Sequence, residues 1–510
     1  MNHIVISEKG VLKLLLNLNP NKATGPDDIP AAILRTAAEE LAPILTKLFQ
    51  LSLNTGYVPN EWKEAWIVPI FKKGERHQPA NYRPVSLTSI ICKVFEHIIH
   101  SSIMTHYEAN QILTDCQHGF RKNRSCETQL ISLVHEITKN MDAGSQVDMV
   151  LLDFSKAFDK VPHQRLLHKL SFYGVRNTTL RWIESFLKDR SQKVLLEGEF
   201  SSSAPVLSGV PQGTVIGPLL FLTYINDLPD SISHSDTKLF ADDSMLMKEI
   251  KTEEDQRKLQ SDLEALETWE RQWQMNFNPS KCNTMRANGS KEPPMIRDYF
   301  LHGHKLENSK SSKYLGVTIT EEMKWSEHVD LIVAKANRSV GFLRRNFSAC
   351  TAKAKSTTYA TMVRPVLEYA SSVWDPILQS DIQKIEKVQR SAARYIFNNY
   401  KMIPGTVTSL LNKLQWDSLE ERRLLLRLSM LYKIQNGLVD INPSNFFKKS
   451  DCRTRGNKTF QERTCKPVFT NSFFPRTLSQ WNKLPSRLTE AKSLESFKLG
   501  VGRFMRSHTL

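Results

Sequence analysis

The chain has 510 residues, 40% of them hydrophobic and 24% charged, with a formal net charge of +16. That length suggests about three domains at roughly 150 residues each, and the composition excludes general disorder. No apolar run approaches the ~20 residues that span a bilayer, and the opening MNHIVISEKGVLKLLLNLNP lacks the small-residue cleavage site of a secretory signal.

In chain order, the Pro/Gly/Asp cluster PNKATGPDDIP (20–30) excludes helix and central strand. Ala31 to about Leu53 reads as a helix, with Leu34, Leu41, Leu45 and Leu48 at three-, four- and seven-residue spacings. WKEAWIVPIF (62–71) reads as a strand ending in the basic turn KKGER, and helices follow around Leu87–His106 and Thr128–Met141. The apolar run DMVLLDF (148–154), bounded by polar residues, reads as a buried strand. His163–Tyr173 and Thr178–Lys188 read as helices, and RSQKVLLEGEFSSSAPVLSG as a β-hairpin turning at Glu197-Gly198. Thr252–Trp273 is the clearest helix of the first half: Thr252 with Asp255 resembles a capping box, and Leu259, Leu263, Leu266, Trp269 and Trp273 form one stripe.

The last third changes character. Trp416–Asn436 reads as a helix with Ser418 and Glu421 as a capping box and Gly437 just past its end, and the polar, basic stretch Lys448–Lys466 reads as flexible. Residues 340–510 hold 29 Lys/Arg against 12 Asp/Glu, a balance of +17, which leaves −1 for residues 1–339. A basic end beside a near-neutral body suits a polyanion such as nucleic acid, with a solubilising surface as the alternative. Strands and helices mixed in the middle, followed by a mostly helical end, give an α+β class with an appended helical domain. The seven cysteines (Cys92, Cys116, Cys126, Cys282, Cys350, Cys452 and Cys465) form no CxxC pair and no Cys/His zinc spacing, so reduced thiols are expected.

Two acidic sites stand out. Asp153 ends the DMVLLDF strand, and Asp242-Asp243 sits in TKLFADDSMLMK with apolar residues on both sides, a setting that suits a hairpin turn. Adjacent like charges there repel unless a cation lies beside them. Two Mg²⁺ ions ~3.5–4 Å apart, bridged by carboxylates from separate strands, are what in-line nucleotidyl transfer needs. Taken alone, an Asp-Asp pair is usually a solvated turn.

The chain as a whole resembles the reverse transcriptases of non-LTR (LINE-type) retrotransposons, the jockey-like branch in particular. The resemblance rests on an ordered series: NKATGPDDIP, WIVPIFKKG, NYRPVSLTSIICKVFE, QHGFRKNRS, LLDFSKAFDKVPH, LSGVPQGTVIGPLLFLTYINDL, LFADDSML, NFNPSKCNTM and YLGVTIT, across residues 20–320. VRPVLEYASSVWDP and FFPRTLSQWNKLP resemble the region downstream.

That resemblance implies a right-hand polymerase: fingers and a palm with an antiparallel sheet over 20–320, a thumb-like helical region over 321–400, and a basic, mostly helical C-terminal region over 401–510, after a short N-terminal segment 1–19. It implies that Asp153, Asp242 and Asp243 are the catalytic carboxylates, holding two Mg²⁺ (with Mn²⁺ as an alternative) together with the main-chain oxygen of Phe154. Phe158 takes the position of a steric gate against the ribose 2′-hydroxyl, an ordinary core Phe being the alternative. Arg83, with Lys72 or Lys73, resembles the site for the incoming triphosphate, and Arg121 either assists there or touches the template backbone. Gln212 would meet the nucleotide or template base while Gly213 permits close backbone approach. Lys281 matches a lysine that protonates the departing pyrophosphate. Tyr314-Leu315-Gly316 resembles a primer grip. A helix near Val329–Arg345 would track the primer–template backbone with Lys335, Arg338, Arg344 and Arg345.

The implied partners are an RNA template, a DNA primer and deoxynucleotides, with no membrane and with action at target DNA in the nucleus. Elements of this type carry an endonuclease upstream of NKATGPDDIP, where this sequence starts, so a 5′-truncated copy is expected. His118 and Cys126 stand where the family often has Phe and Thr. Three readings compete: an RNA-directed DNA polymerase, a catalytically idle nucleic-acid-binding remnant, and an RNA-synthesising relative of the same palm, against which Phe158 argues.

Overall fold

The computed structural model describes all residues except 2, 402, 449–459, 462–464 and 508–510. Cys452 and most of the segment expected to be flexible at Lys448–Lys466 lie outside the described residues.

Ser7 opens the chain's first helix, Glu8–Leu16, by accepting the Gly10 N–H, and residues 20–30 run without helix or strand. The single helix expected from Ala31 is two, Ala31–Thr36 and Ala38–Thr55, parted at Ala37 (φ −95°, ψ +29°). The leucine stripe is also displaced: Leu34 and Leu45 are buried, while Leu48 is exposed. Phe49 takes the core position beside it, because its larger ring stacks on Phe95 (4.7 Å) and meets the edge of Trp62 (6.1 Å).

Two sheets follow. In the first, strand Glu64–Phe71 pairs antiparallel with Tyr82–Leu87 and parallel with Arg190–Leu196. Arg190–Leu196 folds back on Glu199–Phe200 through Glu197 (φ +52°) and Gly198 (φ +92°), the twin left-handed pair of a tight hairpin turn. The second, central sheet has the order Glu307–Asn308, Asn283–Asn288, Gln146–Asp153, Asp243–Ile250, Asp236–Phe240. Its four long strands are antiparallel, and only the short edge strand Glu307–Asn308 runs parallel to its neighbour.

Strand Gln146–Asp153 sits between two hydrophobic cores, which is why it is apolar on both faces. Val150 and Leu152 join a core with helices Ile90–Ala109, Gly217–Ile225 and Glu253–Trp273. Val147 and Met149 join a second core with helix Cys126–Asp142. The reciprocal capping box of Thr252 and Asp255 starts Glu253–Trp273, whose Leu259, Leu263, Leu266 and Trp269 are buried as the stripe foretold.

After the small hairpin Ser311–Tyr314/Val317–Thr320 the chain is helical. Helix Ser326–Asn346 packs on Gln379–Phe397, and helix Leu419–Gln435 begins at the Ser418–Glu421 capping box. The second core continues without a break from Leu130 and Met245 behind the central sheet to Leu431, Phe474, Trp481 and Val501. The C-terminal helices therefore share a core with the central sheet. Among the described residues no helix is long and apolar enough to cross a membrane, and the described cysteines form no disulfide.

Candidate active site

Register brings the first two carboxylates together. Asp153, last residue of its strand, is the direct partner of Asp243, first residue of the neighbouring one. Phe240 also pairs with Asp243, so the turn of this hairpin is Ala241-Asp242, with Ala241 in the left-handed region (φ +53°). The two acids expected together in a turn are thus divided: Asp242 occupies the turn and Asp243 opens the return strand.

Asp242 and Asp243 are exposed to solvent, yet crowded by surrounding protein. Burial raises the Asp242 carboxyl above the usual range, and the Asp153 charge adds to the rise. Asp243 is pushed up to about 6 by burial, then by the charges of Asp242 and Asp153. Lys72 and Arg83 oppose both shifts. These two cations come from facing strand ends of the first sheet, where the Lys72 N–H also bonds the Asn81 carbonyl. Of the lysine pair left open by the sequence, Lys72 is the one whose charge bears most on the carboxylates.

Lys281 arrives from the other side. Its ammonium lies 3.3 Å from Asp153 Oδ2. The loop carrying it is tied to Asp153 by main-chain bonds, Asn278 N–H to the Asp153 carbonyl (2.7 Å) and Ser155 N–H to the Asn276 carbonyl (2.9 Å). Phe154 stacks on Phe277 at 4.2 Å between these bonds, and among the described residues nothing donates to its carbonyl.

Phe158 is half-buried, stacked on Phe221 at 4.2 Å and edge-on to Phe120 at 6.5 Å, which fixes the plane of its ring. The loop after Ser208 wraps this region. Gln212 Nε2 donates to Asp159 Oδ1 (3.0 Å), and its carbonyl accepts from Ser86 N (2.7 Å). Gly213, at φ +106°, approaches strand Tyr82–Leu87 so closely that a Cβ would stand 2.7 Å from the Ser86 oxygen. Arg121 is directed elsewhere: its Nη1 donates to the Thr114 carbonyl (2.8 Å) and faces Asp115 (3.7 Å). The structure does not bring Arg121 into the carboxylate cluster, because these nearby oxygens hold its guanidinium.

The Tyr314-Leu315-Gly316 segment forms the turn of its hairpin, with Leu315 at φ +44° and Gly316 at φ +87°. Tyr314 is buried, its hydroxyl accepts from Gln129 Nε2 (2.5 Å), and burial, with the Asp243 charge added to it, suppresses its ionisation. On helix Ser326–Asn346, Lys335, Arg338 and Arg345 are exposed. Arg344 is not free to track a backbone, since its Nη2 donates to Ser391 Oγ (2.7 Å) on the neighbouring helix.

The donor chemistry fits a hard cation. Carboxylate oxygens, a free main-chain oxygen and like charges compensated only in part make a set that Mg²⁺ or Mn²⁺ satisfies. Among the described residues no three acidic, histidine or cysteine side chains converge tightly enough to enclose an ion alone.

Several supporting residues carry no chemical signature in the sequence. Gln117 is buried, and its side-chain oxygen accepts from Ala241 N (2.9 Å) and Gly119 N (2.7 Å), which holds the Asp242 turn. At Gly119 a Cβ would stand 2.4 Å from Ala241 N. The buried Glu96 accepts from Val215 N (2.6 Å) and Ile216 N (3.1 Å), anchoring the far end of the Gln212 loop. Tyr369, from VRPVLEYASSVWDP, donates its hydroxyl to the Leu315 carbonyl (2.9 Å). QHGF and EYA mark these places, but their roles depend on distant strands.

An α+β hand with paired carboxylates at the end of an antiparallel sheet, faced by cations from a second sheet, defines the class as right-hand polymerases. The family described as reverse transcriptase (RNA-dependent DNA polymerase) matches residues 70–319, and the chain is similar to the RNA-directed DNA polymerases of jockey-like, non-LTR transposons. The probable RNA-directed DNA polymerase from transposon BS of Drosophila melanogaster is 28% identical over 418 residues, 78% of this chain and 45% of that protein. Its counterpart from transposon X-element of the same fly is 29% identical over 402 residues, 76% and 43% of the two chains. The RNA-directed DNA polymerase from mobile element jockey of that species is 28% identical over 399 residues, again 76% and 43%. The chain spans less than half the length of these relatives. Apo telomerase from Candida tropicalis, truncated from its C-terminal domain, aligns over 55% of this chain and 59% of its own at 10% identity and a TM-score of 0.35, too slight a likeness to carry a conclusion.

Proposed function

We propose that the chain is an RNA-directed DNA polymerase that extends a DNA primer 3′-hydroxyl with deoxynucleotides on an RNA template. The observation that carries this reading is the register pair Asp153–Asp243 with Asp242 beside it, faced by Lys72 and Arg83 and approached by Lys281. Asp153, Asp242, Asp243 and the Phe154 carbonyl would hold two Mg²⁺ ions, or Mn²⁺, which supply charge for the attacking and leaving oxygens when bound.

The chain's own groups do the rest. Arg83 offers a bidentate fork to a phosphate and Lys72 a point charge, so the triphosphate would lie between the two sheets. Phe158 lies beneath the sugar, and its stacked plane leaves no room for a 2′-hydroxyl. Gln212, held by Asp159, presents the edge of its loop to the nascent pair. Lys281 is placed to give a proton to the departing pyrophosphate. Tyr314-Leu315-Gly316 would grip the primer end, and Lys335, Arg338 and Arg345 would follow the phosphate backbone without reading bases. In this reading 20–320 make the fingers and palm, 321–400 the thumb and 401–510 a basic C-terminal extension, and the enzyme works on nuclear target DNA.

Primer extension on an RNA template tests it. Wild type should incorporate deoxynucleotides with Mg²⁺, while Asp153→Asn and the Asp242→Asn/Asp243→Asn double variant should lose extension by about three orders of magnitude or more yet bind primer–template within about threefold. A folded wild-type chain that binds primer–template without extending it would sink the proposal in favour of an idle nucleic-acid-binding protein.

A further inference from the structure

Arg124 is the most heavily engaged charged side chain near the site that the reaction itself does not use. Its side chain is only 6% exposed, although it lies in the loop RKNR, among residues of turn character. Nε donates to Asp440 Oδ2 (2.6 Å), Nη2 to Asp115 Oδ1 (2.8 Å), and Nη1 to the carbonyls of Asp115 (2.6 Å) and Gln117 (2.9 Å). Asp440 comes from 316 residues away in the chain. Its own N–H donates to the Asn123 carbonyl (2.9 Å), so the two loops are bonded in both directions. Ile441, next in sequence, is buried in the second core and fixes Asp440 from the C-terminal side.

From Arg124 the bonds run on to the carboxylates. Gln117, whose carbonyl Arg124 holds, bridges strand Asp236–Phe240 at Leu239. Leu239 N donates to the Cys116 carbonyl (3.0 Å), and His118 N to the Leu239 carbonyl (2.8 Å). The Gln117 side chain then takes the Ala241 N–H, next to Asp242. From Gln117 onward each link is main chain or the buried Gln117 side chain, so movement at one end has little slack to absorb it.

We propose that Arg124 and Asp440 form a clasp through which the C-terminal extension positions the Ala241–Asp243 turn. Both are positioning residues, and the part about catalysis rests on the polymerase reading above. An exposed ion pair contributes little to anything. This one differs because the guanidinium is buried and its remaining N–H groups hold the strand that carries Gln117. Loss of the Asp440 carboxylate leaves the 93% exposed Asp115 as the one carboxylate facing Arg124 among the described residues, and frees residues 115–124 to move.

Two readouts on the full chain test the clasp: steady-state primer extension, and amide hydrogen exchange over residues 236–246. In Asp440→Ala, kcat should fall about tenfold with KM for deoxynucleotide within about twofold, and exchange at 236–246 should rise about tenfold while the helix Leu419–Gln435 exchanges as in wild type. Asp440→Asn, which keeps an acceptor oxygen, should recover most of both. Unchanged exchange at 236–246 in Asp440→Ala would overturn the clasp, as would a rise spread evenly over the whole chain. Wild type that fails to extend primers would refute the polymerase reading, and the exchange measurement would still decide the clasp.

Discussion

Burial, with repulsion among Asp153, Asp242 and Asp243 added to it, holds the two hairpin carboxyls above their usual range, and Lys72 and Arg83 answer only part of that penalty. A divalent cation would remove it, which is the physical case for these residues as ligands. Phe158 makes a separate claim at the same scale. Its ring is held near-parallel to Phe221 by stacking, so the face proposed to meet a sugar would not tilt away. Phe158→Val should therefore raise ribonucleotide incorporation relative to deoxynucleotide by about tenfold or more, read from kcat/KM for the two substrates on one template. An unchanged ratio would reduce Phe158 to a core residue. Gln117 shows the limit of reading residues singly. A glutamine in a loop motif carries no chemical tag, and its part emerged only when the fold placed Ala241 N 2.9 Å from its oxygen.

Elements were legible where local chemistry decides them. The capping boxes Thr252–Asp255 and Ser418–Glu421 and the hairpin turn Glu197-Gly198 stand where their residues foretold, since each is closed by neighbours in sequence. Thr252→Ala and Ser418→Ala should each lower stability by about 1 kcal/mol, measured as a shift in urea midpoint at constant slope. No shift in either would show that tertiary packing alone holds these helix starts. Where packing decides, the sequence reading failed by small steps. The helix from Ala31 parted at Ala37, and Leu48 lost the core to Phe49 because an aromatic partner, Phe95, waits on another helix. The acid pair of the LFADDSML motif was divided between turn and strand by the pairing of Phe240 with Asp243, a register set by the sheet and not by the pair itself.

At the scale of the molecule, two cores flank the central sheet, and the second extends unbroken into the C-terminal helices. Its buried histidines give that core a pH dependence. Burial, with the Lys139 charge, pushes His135 down to about 4, and burial with Lys313 does the same to His328. An unfolded imidazole takes its proton near pH 6.5, so on acidification the unfolded chain binds protons that the folded chain refuses. Stability should be intact above about pH 6.5 and fall between there and about pH 4, each histidine contributing a slope of up to ~1.4 kcal/mol per pH unit. His135→Phe, which suits the ring cluster of Phe446, Phe469 and Phe474, should flatten that decline. A chain equally stable at pH 7 and pH 5 would mean that these imidazoles are not buried in solution.

The sequence by itself determined the chemistry. Three carboxylates, the arginine and lysine proposed for the triphosphate and the phenylalanine proposed as a gate lie in motifs whose order resembles one family, because chemical function needs particular residue types. It also determined the locally closed elements, whose hydrogen bonds span three or four residues. Only the tertiary structure decided that the Lys72 charge bears on the carboxylates, that Arg121 and Arg344 are held by nearby oxygens, and that Asp440 reaches Arg124 across the chain. Those outcomes follow from distances between groups far apart in sequence, set by sheet register and core packing, and no local pattern of residues encodes them.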